Sequence, residues 1–219
     1  MKNRSTEDYI KGIFSLHESG GSVTTSLLAK HLKIGDGSVT DMVKKLSEKG
    51  LIEYEPYKGV KLTGEGRRLA LKMIRRHRLW EMFLVRFLDY SWDEIHGEAE
   101  LLEHVTSDDL ERRIDHALGY PKVDPHGSPI PDADGELHEV ECRTLSCCHV
   151  DDTGIIVQVK DESPEMLKLM TRLGLVLNTQ IAVKEVIGVD GTVVIAIVGS
   201  DTEIPLSPVF AQSIFIRTV

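Results

Sequence analysis

Hydrophobic periodicity changes character once along this chain, and that change limits the fold more than any other feature. From residue 6 to about residue 118, apolar side chains recur at helical spacing; from Arg143 onward they gather in short β-branched runs. Residues 120–142 between them hold Pro121, Pro125, Gly127, Pro129, Pro131 and Gly135, which suits a connector. The pattern predicts a multidomain chain, mainly α with a small β part. The 219 residues have room for one to three small domains with a sizeable core.

In the helical part, Tyr9, Ile10, Ile13 and Phe14 predict a helix over 6–19, stopped by Gly20-Gly21. A short helix follows over about 24–32. After the Ile34-Gly35-Asp36-Gly37 turn, a third runs over about 37–49, with Val39, Val43 and Leu46 inward and Gly50 as its stop. Residues 51–55 and 60–63 read as two short strands around a tip at Pro56-Tyr57-Lys58-Gly59. Helix, turn, helix and hairpin together predict a winged helix-turn-helix. DNA-reading helices present polar and basic side chains at their N-terminal turns. Ser38, Thr40, Asp41, Lys44 and Lys45 are the candidates here, with Lys58 and Lys61 on the wing.

The charge distribution agrees. Net charge is −9 overall, yet residues 1–76 hold 15 Lys and Arg against 9 Asp and Glu, while residues 77–142 hold 5 against 17. A basic first third suits phosphate contact, and an acidic middle suits cation binding.

A long helix is expected from after Thr63 to about Leu88, placing His77 and Glu81 one turn apart. Ser91-Trp92-Asp93-Glu94 has capping-box spacing and is expected to open the helix carrying His96 to His104. If that run is one α-helix, His96, Glu100, Glu103 and His104 share a face. Imidazoles and carboxylates in that number suit a divalent transition metal. Donors of nitrogen and oxygen without sulfur favour Mn²⁺ or Fe²⁺. Burying such carboxylates without a cation would be costly.

In the β part, residues 154–159, 180–189, 191–199 and 213–219 read as strands, with Asp190-Gly191 as a hairpin turn and a short helix over Pro164 to Leu173. These predict a small separate β-barrel. The odd cysteine count, Cys142, Cys147 and Cys148, argues against a disulfide framework and for a reducing cytoplasm. No apolar run is long enough for a membrane span, and the first residues lack an apolar signal core.

These residues resemble the diphtheria toxin repressor family of metal-dependent transcription regulators, and are most similar to its manganese-sensing branch. The resemblance is carried by TEDYIKGIFSL, SVTDMVKKLSEKGLIEYEPYKGVKLTGEGRRLA, RRHRLWEMFL, HGEAELLEHVTSDDLERRID and DPHGSPIP; MLKLMTRLGLVLNTQIAVKEV is similar to the FeoA type of SH3-like domain. It implies a winged helix-turn-helix domain over 1–73, a helical metal-binding and dimerisation domain with connector over 74–142, and an SH3-like β-barrel over 143–219. It implies a primary metal site at Asp8, Glu100, Glu103 and His104. A second site is implied at His77, Glu81 and His96, with Asp124, His126 and Asp161 as added ligands. Oxygen donors at Asp8 and Glu100, where iron-type members place a Met and a Cys, imply Mn²⁺, with Fe²⁺ as the alternative. Lys11 departs from the pattern, standing where the short manganese regulators carry a glutamate; Asp41 and Asp124 depart from it too. The implied partners are a double-stranded DNA operator and a second copy of the chain, with no membrane and no small organic substrate. The implied output is repression of metal-uptake genes.

Two other classes fit some of the residues. A carboxylate-bridged helical metalloenzyme would need two E-x-x-H motifs, which residues 77–104 lack. A protein-interaction module would place the function in the C-terminal part.

Overall fold

The computed structural model describes residues 4–18, 20–55, 59–138, 141–160 and 163–218. They form two compact units. The first comprises Met1–Trp80, Ala99–Ala117 and Ile130–Leu137; the second comprises Glu81–Glu98, Leu118–Pro129 and His138–Val219.

The first unit opens with α1 (Arg4–Glu18), α2 (Thr25–Leu32) and α3 (Asp36–Glu48). Thr24 caps α2 by accepting from the Leu27 amide at 3.2 Å, and Lys33 ends it in the left-handed conformation. Ile10, Ile13, Leu28, Val39, Val43 and Leu46 are fully buried in one core, so the three helices hold one another through their apolar stripes. The hairpin of β1 (Ile52–Glu55) and β2 (Gly59–Leu62) pairs Ile52 with Leu62 and Tyr54 with Val60. Val60 also donates to the Val23 carbonyl at 2.8 Å, which ties the wing to the start of α2. The tip residues 56–58, Lys58 among them, lie outside the described residues.

Helix α4 runs over Gly64–Leu88, as its apolar spacing predicts. In the first unit it is joined to α6 (Asp108–Leu118) by a charged network. Arg75 donates to Glu111 (3.0 Å), Asp115 (2.6 Å) and the Pro131 carbonyl (2.7 Å). Arg76, only 1% exposed, donates to Glu111 (2.8 Å) and Asp108 (2.5 Å). Buried guanidinium groups are tolerated because each fork meets a carboxylate.

The segment expected as one helix from His96 to His104 is divided. Helix α5 spans Ile95–Leu102, and Glu103–Val105 form a 3₁₀ turn. Ser91 and Glu94 do interact before it, through Ser91 Oγ donating to Glu94 Oε2 at 2.8 Å.

The second unit holds a six-stranded antiparallel sheet in the order β3-β8-β4-β5-β6-β7. The strands are β3 (Arg143–Thr144), β4 (Thr153–Val159), β5 (Gln180–Ile187), β6 (Thr192–Ile197), β7 (Glu203–Leu206) and β8 (Ile214–Thr218). Ile156, Ile181, Val183, Ile195, Ile214 and Ile216 supply its core, with Leu167 and Met170 from α7 (Pro164–Leu173) and Ala211 from α8 (Pro208–Ser213). Ser163 caps α7, Pro164 stands in its first turn, and Gly174 ends it at φ +72°. The expected closed barrel is not formed by strand pairing among the described residues: β3 and β7 are the two edges of the sheet. Cys147 is exposed and Cys148 buried; Cys147 Sγ accepts from the Thr144 hydroxyl at 3.2 Å and Cys148 Sγ donates to the Thr144 carbonyl at 3.6 Å.

Candidate metal centre

The centre is built in the first unit from α1, α4, the end of α5 and the 3₁₀ turn. The tyrosine and isoleucine face of α1 is held in the core, which sets Glu7, Asp8 and Lys11 along one flank of that helix. Asp8, Glu100 and His104 each offer one ligand atom, and these atoms lie within 4.8 Å of one another. His104 Nε2 lies 2.9 Å from Asp8 Oδ1 and 3.7 Å from Glu103 Oε1. Both Asp8 Oδ1 and His104 Nε2 are sealed from solvent, and neither has a hydrogen-bond partner among the described residues. Two polar atoms buried this close are costly unless a proton or a metal cation joins them. The donor set therefore fits a divalent ion.

Glu7, 4% exposed, completes the arrangement from behind. Its Oε2 lies 2.8 Å from His104 Nδ1. A proton on Nδ1 shared with Glu7 leaves the Nε2 lone pair facing Asp8. Burial raises the Asp8 pKa above its ordinary value; Glu100 and Glu103 add to the rise, while His104 and Arg4 oppose it.

Lys11 occupies the other side of the carboxylates. Its Nζ lies 2.8 Å from Glu100 Oε2, 2.8 and 3.0 Å from the two Glu103 oxygens, and 3.1 Å from His77 Nδ1. Glu103 is fully buried and also meets His77 Nδ1 at 2.5 Å. Burial alone would lower the Lys11 pKa, but Glu103 and Glu100 outweigh it and the net direction is upward.

A second group lies in the second unit. Glu81, Asp124 and His126 are all buried, with ligand atoms within 4.8 Å of one another. Asp124 Oδ1 accepts from the amides of His126 (2.8 Å) and Ser128 (2.9 Å), which shapes the Pro-His-Gly loop. Gly127 at φ +85° allows that loop to close, since a Cβ there would lie 2.0 Å from the Val157 carbonyl oxygen. His126 Nε2 lies 2.8 Å from the Trp92 carbonyl, and its ring stacks on Trp92 at 5.7 Å. His96 is 3.7 Å from Glu81 but largely exposed.

Asp8, Glu100, Glu103 and His104 converge in the first unit, where His77 meets Lys11 and Glu103. Glu81, His96, Asp124 and His126 lie in the second. Asp161 lies outside the described residues. Sequence spacing did not find Glu7, or what Lys11 does. The available signal was charged residues at i, i+1 and i+4 beside the apolar stripe of a core helix.

On the DNA-facing candidates, Ser38, Asp41, Lys44 and Lys45 are exposed along α3, and Lys61 is exposed on β2. Thr40 is half-buried, its hydroxyl donating to the Asp36 carbonyl at 3.1 Å. No helix among the described residues is long and apolar enough to cross a membrane.

Comparison with known proteins finds three matching domains along the chain. The N-terminal DNA binding domain of the iron dependent repressors matches residues 1–60, their metal binding and dimerisation domain matches 63–132, and the FeoA domain matches 143–218. The iron-dependent repressor IdeR of Mycobacterium leprae is 35% identical over 127 residues, which are 58% of this chain and 55% of IdeR. The chain thus spans about half the length of the curated relatives it matches. A manganese-dependent transcriptional repressor, solved in complex with manganese, superposes with a TM-score of 0.92 at 39% identity over 98% of this chain and all of that one. The manganese regulator SloR superposes with a TM-score of 0.81 at 32% identity, covering 98% of each chain. Matched along nearly its full length by these domains and structures, the chain belongs to the iron-dependent repressor family of metal-dependent transcriptional regulators.

Proposed function

We propose that this chain is a Mn²⁺-activated transcriptional repressor that binds double-stranded operators as a cytoplasmic homodimer and controls metal-uptake genes. The observation that carries this is the meeting of Asp8, on the first helix of the DNA-binding segment, with Glu100 and His104. We assign Asp8, Glu100, Glu103 and His104 as the primary ligands, and Glu81, Asp124 and His126, flanked by His96, as a second group. The working division of the chain is 1–73, 74–142 and 143–219.

A bound divalent ion would supply positive charge and directed ligand bonds at the primary group. Asp8 rides on α1, and α1 shares its core with α3. Holding Asp8 against Glu100, Glu103 and His104 therefore restricts the orientation of the α3 surface. Ser38, Asp41, Lys44 and Lys45 on α3, with Thr40 at its edge and Lys61 on the wing, are the proposed contacts to phosphate and base edges. Without neutralisation the clustered carboxylates repel, and α1 samples orientations that fit DNA less well. Ion and DNA then favour the same state, so each raises affinity for the other. A typical coupling of about 1–3 kcal/mol corresponds to roughly 5–150-fold in DNA affinity.

Nitrogen and oxygen donors support Mn²⁺, as does similarity to manganese-dependent repressors over the full chain. Fe²⁺ is the second reading, favoured by the 35% identity to an iron-dependent repressor. The test is capture of genomic DNA fragments by purified, chelator-stripped protein with Mn²⁺, with Fe²⁺ kept reduced, with Zn²⁺, and with no metal. Enrichment of a few fragments in the Mn²⁺ arm above the others is expected. Equal capture in every arm would overturn metal dependence, and stronger enrichment with Fe²⁺ would replace the ion.

A further inference from the structure

We infer that Leu137, at the end of a strap formed by residues 130–137, is a positioning residue for the DNA-reading helix α3, favouring the ion-competent orientation without being a ligand. This rests on the function proposed above. The connector returns to the DNA-binding part of the chain: residues 130–137 belong to the first unit, between two stretches that belong to the second. The strap starts at a buried anchor. Ile130 and Pro131 are buried, and Arg75 of α4, which also pairs with Glu111 and Asp115 of α6, donates to the Pro131 carbonyl at 2.7 Å. A tight turn follows. Asp132 Oδ1 accepts from the Asp134 and Glu136 amides at 3.0 and 2.9 Å, and the Asp132 amide donates to the Glu136 carbonyl at 2.9 Å. The closed turn delivers Leu137, half-buried, to the core shared by α1, α2, α3, the wing and the first half of α4.

That core carries α3: Val39, Val43 and Leu46 lie in it, with Ile10 and Ile13 from the helix that bears Asp8. The strap is thus a second tie between the DNA-binding segment and the α4–α6 body, made of chain and not of an ion. Both ties belong to one orientation, since Leu137 is seated while Asp8 meets Glu100 and His104. When α1–α3 swing away as the ion leaves, Leu137 is either uncovered or dragged with them, and uncovering it exposes apolar surface to water. The strap therefore favours the ion-competent state before any ion binds. Half-burying a leucine shifts such an equilibrium by roughly 3- to 10-fold. An apparent affinity scales with the competent fraction. Losing the contact should weaken Mn²⁺ and DNA binding while that fraction is small, and leave DNA affinity unchanged once excess ion has made it dominant.

The experiment is fluorescence anisotropy of the full-length, chelator-stripped chain on an operator fragment from the capture described above, titrated with Mn²⁺. Leu137→Ala should need roughly 3- to 10-fold more Mn²⁺ than wild type to reach half of its DNA-binding response, yet arrive at wild-type affinity when the ion saturates. Leu137→Met, which keeps the apolar contact, should restore the wild-type midpoint. Asp132→Ala opens the turn and keeps Leu137. It should move the midpoint the same way, and it decides the matter if circular dichroism shows Leu137→Ala unfolded. An unchanged midpoint in folded Leu137→Ala and Asp132→Ala would overturn the inference, as would a DNA affinity reduced equally at every Mn²⁺ concentration. If wild type itself shows no Mn²⁺ response, the proposed function fails instead.

Discussion

Glu7 and His104 are joined by a buried contact of 2.8 Å between carboxylate Oε2 and imidazole Nδ1, and this contact fixes which ring nitrogen faces Asp8. Carboxylate partners of metal-bound imidazoles commonly affect affinity by about 10–100-fold. Glu7→Ala should therefore weaken Mn²⁺ binding by roughly that factor. Glu7→Gln keeps an oxygen that accepts from Nδ1–H and should lose much less. Isothermal titration of both variants separates this role from simple packing, because equal losses would mean the ring is not oriented through Glu7.

Asp8 links the DNA-binding segment to the rest of the site. Asp8→Asn should leave metal-free DNA binding close to wild type while removing most of the gain on adding Mn²⁺, a loss of roughly 5–150-fold under saturating metal. Fluorescence anisotropy on a captured operator, with chelator and with Mn²⁺, measures both. A variant that keeps the full metal response would show that Asp8 does not carry the coupling.

The loop holding Asp124 and His126 depends on Gly127. Its φ of +85° and the 2.0 Å approach to the Val157 oxygen leave no space for a methyl group. Gly127→Ala should cost about 2 kcal/mol or more, since left-handed strain and a backbone clash combine. The check is a lower thermal unfolding temperature together with weaker metal binding at the Glu81 group. An unfolding temperature equal to wild type would mean the loop has another conformation available.

Asp152 gives a pH prediction away from the metal sites. Its carboxylate accepts from the His149 amide at 2.7 Å and from Arg143 at 2.9 Å, and the amide bond is the main cause of its lowered pKa. A lowered folded-state pKa means the folded chain binds fewer protons at mildly acid pH. The stabilisation is then complete above the unfolded-state value of about 4 and lost as pH falls through the folded one. Asp152→Asn should be less stable than wild type at pH 7, with the gap closing below about pH 4. Thermal unfolding across this pH range measures the gap, and a constant difference would rule out the charge as its source.

Legibility in the sequence followed the range of each interaction. The helices, the wing and the strands were readable because their apolar spacing is local: Val39, Val43 and Leu46 are one turn apart and share one core. Glu100 and His104 were readable as ligand types at helical spacing, and Asp8 through the family resemblance. Glu7 and Lys11 were not, because a charged residue beside an amphipathic stripe is usually solvated, and only the arrival of residues 100–104 buries this flank. The grouping of Glu81 with Asp124 and His126 depends on a loop whose path no spacing encodes. The tightening at Glu103 was invisible for a related reason: α and 3₁₀ turns differ by a fraction of a residue per turn, and tertiary contacts decide between them. The strands were legible individually, while the lack of β3–β7 pairing among the described residues depends on contacts across the length of the sheet.

The edges of that sheet also bear on how copies of the chain can meet. One edge, β3, is only two residues long, and the other, β7, carries Pro205, which has no amide hydrogen to offer. Short edges and edge prolines discourage a neighbouring strand from adding on. Association by extending the sheet from molecule to molecule, the route towards open-ended fibres, is therefore poorly supported. At this sheet, pairing of copies is left to side-chain surfaces, which can close on themselves and stop at a defined number.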